Sequence, residues 1–176
     1  MDDSPLFRNP EVTTQRRMYA EAFSFLVAEF GFVAQENPEF FMTPGVSALS
    51  LQYEHQAVRV YMWFDPYDIR CDVVVQGLVS GVAATDDALN RVGAFREGSD
   101  FHLEPWKPRS DVSNYVKRKS EILRGLLDDG VEGLVQVLDF AGQNVSRHPD
   151  WKGVLLPETT GDVAERLAEW RRRQGV

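Results

Sequence analysis

Between Val46 and Leu78 apolar and polar residues alternate one for one, and the phase of that alternation shifts twice. Successive side chains of a β-strand point to opposite faces, so a two-residue period marks strands, and each change of phase marks a connection. The pattern predicts three consecutive antiparallel strands. One face takes Leu49, Leu51 and Tyr53, then Val58, Val60, Met62 and Phe64, then Ile69, Cys71, Val73 and Val75. The other takes Ser50, Gln52 and Glu54, then Arg59, Tyr61 and Trp63, then Arg70, Asp72, Val74 and Gln76. The first set reads as core and the second as an outward face. Asp65-Pro66-Tyr67-Asp68 is a strong turn signal for the second connection, because Asp suits the first turn position and Pro presets φ at the next. The first connection, around His55-Gln56, is inferred from the phase change alone.

The sequence around this block reads as helices. A helix is expected from Thr13 or Thr14 to about Phe30, with Gly31 placed to stop it. Phe32-Val33-Ala34-Gln35 reads as a short strand and 36–39 as a turn. Thr85 can cap a helix from Asp86 to about Phe95, whose Leu89, Val92 and Phe95 share a side. Residues 96–110 read as loop. A long helix follows from Ser110 or Asp111, carrying Val112, Tyr115, Val116, Ile122, Leu123, Leu126 and Leu127 at helical spacing. Asp129-Gly130 separates it from a third helix with Val131, Leu134, Val135, Leu138, Ala141 and Val145 on one side. A last helix is expected from Thr159 or Thr160 to the arginines at 171–173. One helix, a strand block and then helices argue for α+β: a three- to four-stranded antiparallel meander packed against a helical layer, in a single domain spanning 1–176 with a loose leader at 1–11.

Composition narrows the function. A chain of 176 residues with 43% hydrophobic and 26% charged residues is long and apolar enough to bury a sizeable core. The net charge of −8 sets no general basic field for phosphates, which disfavours nucleic acid and is compatible with a basic protein partner. The start, Met1-Asp2-Asp3-Ser4-Pro5, has no signal-peptide pattern, and no apolar run approaches the ~20 residues of a membrane span. A reducing, cytoplasmic location is the expectation.

No reaction is named by the residues. The histidines His55, His102 and His148 lack metal-ligand spacing, and one cysteine cannot build a structural zinc site, so neither metal nor cofactor is expected. Cys71 falls on the apolar face, where a thiol is inert. No nucleophile elbow or glycine-rich phosphate loop occurs. Asp65 and Asp68 are accounted for by turn chemistry, leaving Asp72 to pair across strands. A basic segment holds Lys107, Arg109, Lys117, Arg118, Lys119 and Arg124 against Asp111 and Glu121. Its consecutive cations splay by about 100° per residue and so form no stripe; a solvated helix face is the expectation.

Arg59, Tyr61, Trp63, Arg70 and Asp72 remain as the candidate binding residues. Large aromatics bury about 150–250 Å² each, so something must cover Tyr61 and Trp63. The cover is either this chain's own helix or N-terminal segment, or a protein partner, since Tyr, Trp and Arg dominate interface hot spots. The leading expectation is a non-catalytic protein-binding module. The alternative is a small enzyme or ligand-binding domain with a pocket between sheet and helices, using Glu54, His55 or Asp72. A nucleic-acid role for the basic helix ranks last on charge.

Three pieces of the layout stand together: the run 25–32 of Phe-Leu-Val-Ala-Glu-Phe-Gly-Phe, the strand Val58-x-Val60-x-Met62-x-Phe64 ending in Asp65-Pro66, and two paired helices. This layout resembles a loose group of small bacterial proteins of unknown function, some of which look like immunity proteins that neutralise a toxin partner. The resemblance covers residues 20–145. It implies a protein partner and carries over no catalytic residues.

Overall fold

The computed structural model describes residues 10–35, 50–64, 71–98, 112–145, 153–156 and 172. The expected class holds, α+β with an antiparallel sheet, but the sheet has six strands rather than three or four. They are β1 (Val33–Gln35), β2 (Ser50–Glu54), β3 (Val58–Phe64), β4 (Cys71–Gly77), β5 (Ala83–Thr85) and β6 (Val154–Leu155). They lie side by side in chain order, every neighbouring pair antiparallel. The sequence pattern underestimates the sheet because β5 and β6 have three and two residues, too few to show a period.

Among the described residues of 51–64 and 71–77 the alternation sorts as expected except at Gln52, which stands on the polar face yet is buried. Val58, Val60, Met62, Val73 and Val75 have no exposed surface. They join one core cluster with Tyr19, Phe23, Leu26, Leu89, Val92, Val116, Leu123, Leu134, Leu138 and Ala141. Direct partners across the strands share a face, and the register sets Tyr53, Val60, Val75 and Ala84 in one apolar row. Where the sequence offers no turn residue, at 55–57, the His55 amide donates to the Val58 carbonyl at 2.8 Å and closes the hairpin.

Among the described residues five helices supply the second layer: α1 (Pro10–Ala22), α2 (Phe25–Phe30), α3 (Asp86–Arg96), α4 (Val112–Leu126) and α5 (Gly130–Asn144). The single helix expected up to Phe30 is broken at Phe23-Ser24. In an unbroken helix, residues 23 and 25 would point about 200° apart. Both phenylalanines are buried, at 0% and 4% exposure. The chain meets that demand by tightening, with the Ser24 amide donating to Glu21 O and the Leu26 amide to Phe23 O, each three residues back. Gly31 stops α2 as the sequence indicates: its φ is 70°, and the amides of Gly31 and Phe32 both donate to Leu26 O.

Thr85 caps α3 through its side-chain oxygen, which accepts from the Ala88 amide at 3.3 Å. Leu89 and Val92 are buried as expected, but Phe95 is 47% exposed, its ring centroid 6.4 Å from that of Phe140. α5 lies close against the start of β5. A Cβ on Gly142 would stand 2.7 Å from Val82 Cγ2. No described helix is long and apolar enough to cross a membrane. The leader expected at 1–11 ends earlier, since α1 begins at Pro10 rather than at Thr13 or Thr14. Residues 1–9, the turns at 36–39 and 65–68, the part 99–110 of the loop expected at 96–110 and the last expected helix (apart from Arg172) lie outside the described residues, as do Lys107 and Arg109.

Candidate functional site

The polar side of the sheet is organised in rows by the strand register. One row crosses all six strands: Val33, Glu54, Arg59, Gln76, Ala83 and Leu155. A second runs Gln35, Gln52, Tyr61, Val74 and Thr85, and a third Ser50, Trp63 and Asp72. Arg59, Tyr61, Trp63 and Asp72 therefore fall on three adjacent rows of one face, as the sequence indicates. Arg59 and Tyr61 are half-buried and Asp72 is exposed. Arg70 lies outside the described residues.

Glu54 is the polar hub of the face. Its Oε1 accepts from Arg59 Nε at 2.8 Å and Nη2 at 2.5 Å, and from Gln52 Nε2 at 3.1 Å. Its Oε2 accepts from Gln35 Nε2 at 3.2 Å. Four side chains from three strands are thus held in one fixed array, with Tyr61 one row away. Burial lifts the Tyr61 hydroxyl above the ordinary tyrosine range, with Arg59 pulling the other way. The ends of the long row are apolar and open, Val33 at 62% and Leu155 at 63% exposure.

Glu54, His55 and Asp72 do not converge. Asp72 stands four residues along β4 from the row of Glu54, about 13 Å at strand rise. His55 packs its ring 5.3 Å from that of Phe32, and its Nδ1 is buried with no hydrogen-bond partner among the described residues. Burial lowers its pKa and favours the neutral ring. Among the described residues no group of three or more His, Cys, Asp or Glu is arranged to hold a metal ion.

A second polar cluster lies where α3 meets α4, and it corrects the reading of the basic helix as uniformly solvated. Lys117 is, with its side chain 72% exposed. Lys119 is not: its side chain is 5% exposed, and its Nζ donates to Asp86 Oδ1 at 2.8 Å and Asp87 Oδ2 at 2.7 Å. It also stands 5.6 Å from the centre of the Tyr115 ring. The Asp86 side chain has no exposed surface, and its Oδ2 accepts no hydrogen bond among the described residues. Burial pushes the Asp86 carboxyl up to about 7, against the pull of Lys119. Burial also opposes the charge on Lys119, but Asp86, Tyr115 and Asp87 outweigh it and hold the ammonium above the ordinary lysine range.

The sequence holds a signal for this cluster. Lys119 is in phase with Val116, Leu123 and Leu127, all buried, so it occupies a core position of α4. Its buried partner Asp86 is explained locally by its place at the start of α3, and a dipole argument hides the second role. Arg124 of the same run pairs with Glu29 on the surface and covers the Phe25 ring at 4.4 Å.

No protein-family model matches this chain, and neither a curated protein nor a solved structure matches it.

Proposed function

We propose that this chain is a non-catalytic, cytoplasmic protein-binding module of immunity-like type, which engages a basic protein partner through the polar face of its sheet. The observation that carries the reading is the division of labour between the two faces. All five helices send buried side chains into the core cluster that holds Val60, Met62, Val73 and Val75. The opposite face presents an ordered array of Glu54, Arg59, Gln52 and Gln35 beside Tyr61, with exposed Val33 and Leu155 at its ends. Side chains already fixed by hydrogen bonds lose little freedom on binding, which favours a specific contact. The net charge of −8 and the exposed Asp72 favour a basic surface opposite.

The test is enrichment of partners on the immobilised full-length chain from nuclease-treated native lysate, wild type against Tyr61→Ala and Trp63→Ala. The expected result is a basic protein retained by wild type whose affinity falls about 30-fold or more in a variant with an unchanged urea midpoint, as for a hot-spot aromatic. Equal retention by all three chains refutes the reading.

A further inference from the structure

The cluster at the α3–α4 junction has an unbalanced charge. Two carboxylates, Asp86 and Asp87, share one ammonium, that of Lys119, at 2.8 and 2.7 Å. Of the three groups only Asp87 reaches water, with 38% of its side chain exposed. Asp86 Oδ2 is buried with no donor among the described residues, although an ionised carboxylate oxygen calls for one; besides Lys119, only the Asp87 backbone amide favours the ionised carboxyl there. Among the described residues the groups that act on it are Lys119 from α4 and Asp87 from α3, with Tyr115 acting through Lys119. The elements packed around α3 add, among the described residues, no counter-charge from their core faces, which carry Val73, Val75, Ala84, Leu134, Leu138 and Ala141.

We propose that this junction is a proton-linked latch: one proton taken up on Asp86 cancels the excess negative charge of the buried cluster, so α3 and α4 hold together more firmly as pH falls and loosen as it rises. The arrangement suits such a device. When Asp86 is neutral, Lys119 keeps the half-exposed Asp87 as its partner, so protonation leaves no buried ammonium unpaired. When Asp86 ionises, the same ammonium must serve two carboxylates and the second Asp86 oxygen stays unsatisfied. The proton is bound in the folded state more tightly than in the unfolded chain, because the carboxyl is pushed up from the ordinary 3.8 to about 7. The firmness is therefore full below about pH 3.8, is lost progressively as pH rises to about 7, and levels off above that. Thr85, which caps α3, also ends β5, so loosening here reaches the strand next to the sheet edge through a single residue.

The experiment uses the full chain. Site-resolved NMR follows the Asp86 side-chain carboxyl through a pH titration of wild type and Asp87→Asn. An Asp86 midpoint above about 5.5, lowered when Asp87 loses its charge, is the expected result. A wild-type midpoint below that value, or one that Asp87→Asn leaves in place, overturns the proposal. Hydrogen exchange corrected for intrinsic rates gives the second readout. Protection of the α3 and α4 amides should fall about tenfold from pH 6 to pH 8 in wild type, following one linked proton, and less than about twofold in Asp86→Asn. Equal slopes in the two chains overturn it as well.

Discussion

Replacing Lys119 with methionine keeps most of the unbranched apolar stem and removes the ammonium, with its charge and its two hydrogen bonds. It also sets two lysines that look alike in the sequence against each other. At 119 the change takes the ammonium from a carboxylate with no exposed surface, held at 2.8 Å, whose other oxygen already lacks a donor. Removing one partner of a buried pair costs up to about 3–5 kcal/mol where the charge left behind persists. At neutral pH Asp86 takes up a proton instead, so the loss there is smaller and approaches that range only above neutrality. At 117 the same substitution touches a side chain 72% exposed, 3.7 Å from Glu121. There the expected change is within about 0.5 kcal/mol. Urea unfolding at neutral pH reads both, and the difference should appear as a shift in midpoint at constant slope. The pH dependence adds a sign. Asp86 has a folded pKa above its unfolded value, so its ionisation removes native stability as pH rises from about 3.8 to about 7. Without Lys119 the upper end of that window moves higher. The penalty of Lys119→Met is thus smallest in acid, where Asp86 is protonated in both native states, and grows above neutrality. Equal losses at 117 and 119, or a penalty that shrinks as pH rises, would refute the burial of this pair.

Two helical glycines should respond oppositely to alanine. Gly125→Ala meets open space and should gain up to about 1 kcal/mol, whereas Gly142→Ala drives a Cβ into Val82 and should lose about 1–2 kcal/mol; thermal melts of the pair decide it. Thr85→Ala removes the cap of α3 and should cost about 1 kcal/mol in urea unfolding, with Thr85→Ser restoring most of it. Arg59→Ala leaves Glu54 with its two glutamine donors and should cost no more than about 1 kcal/mol, so any large loss of partner binding by this variant belongs to the interface.

What could be read in advance follows the range of the forces involved. The period-two run of β3, the Gly31 stop and the Thr85 cap are local, and each appears in the sequence in the form the structure takes. Lys119 shows the limit. A run of three cations reads as solvated until Asp86, 33 residues earlier, is brought beside it, and only its phase with Val116 and Leu123 hints at the core. β6 shows the same limit, since Val154–Leu155 becomes a strand only through β5, some 70 residues earlier. The break at Ser24 escaped because Phe23 and Phe25 each suit a helix singly, and only their shared burial rules it out.

The chain-order sheet has a consequence for how the molecule is assembled. β1 to β5 pair with near neighbours along the chain, Val75 with Ala84 for instance, whereas Ala84 waits for Val154 to close its other side. The second loop is about eight times longer, which adds roughly 2 kcal/mol of closure entropy to a contact of two residue pairs. The far edge of the sheet is then the last piece to form and the first to be released. During synthesis five strands can zip together before residue 154 exists, while α3, α4 and α5 emerge between the halves of that final contact. Pulse-labelled exchange during refolding should find the amides of β3 protected well before those of β5 that face β6. Simultaneous protection would mean that the helices position the last strand before the sheet is built.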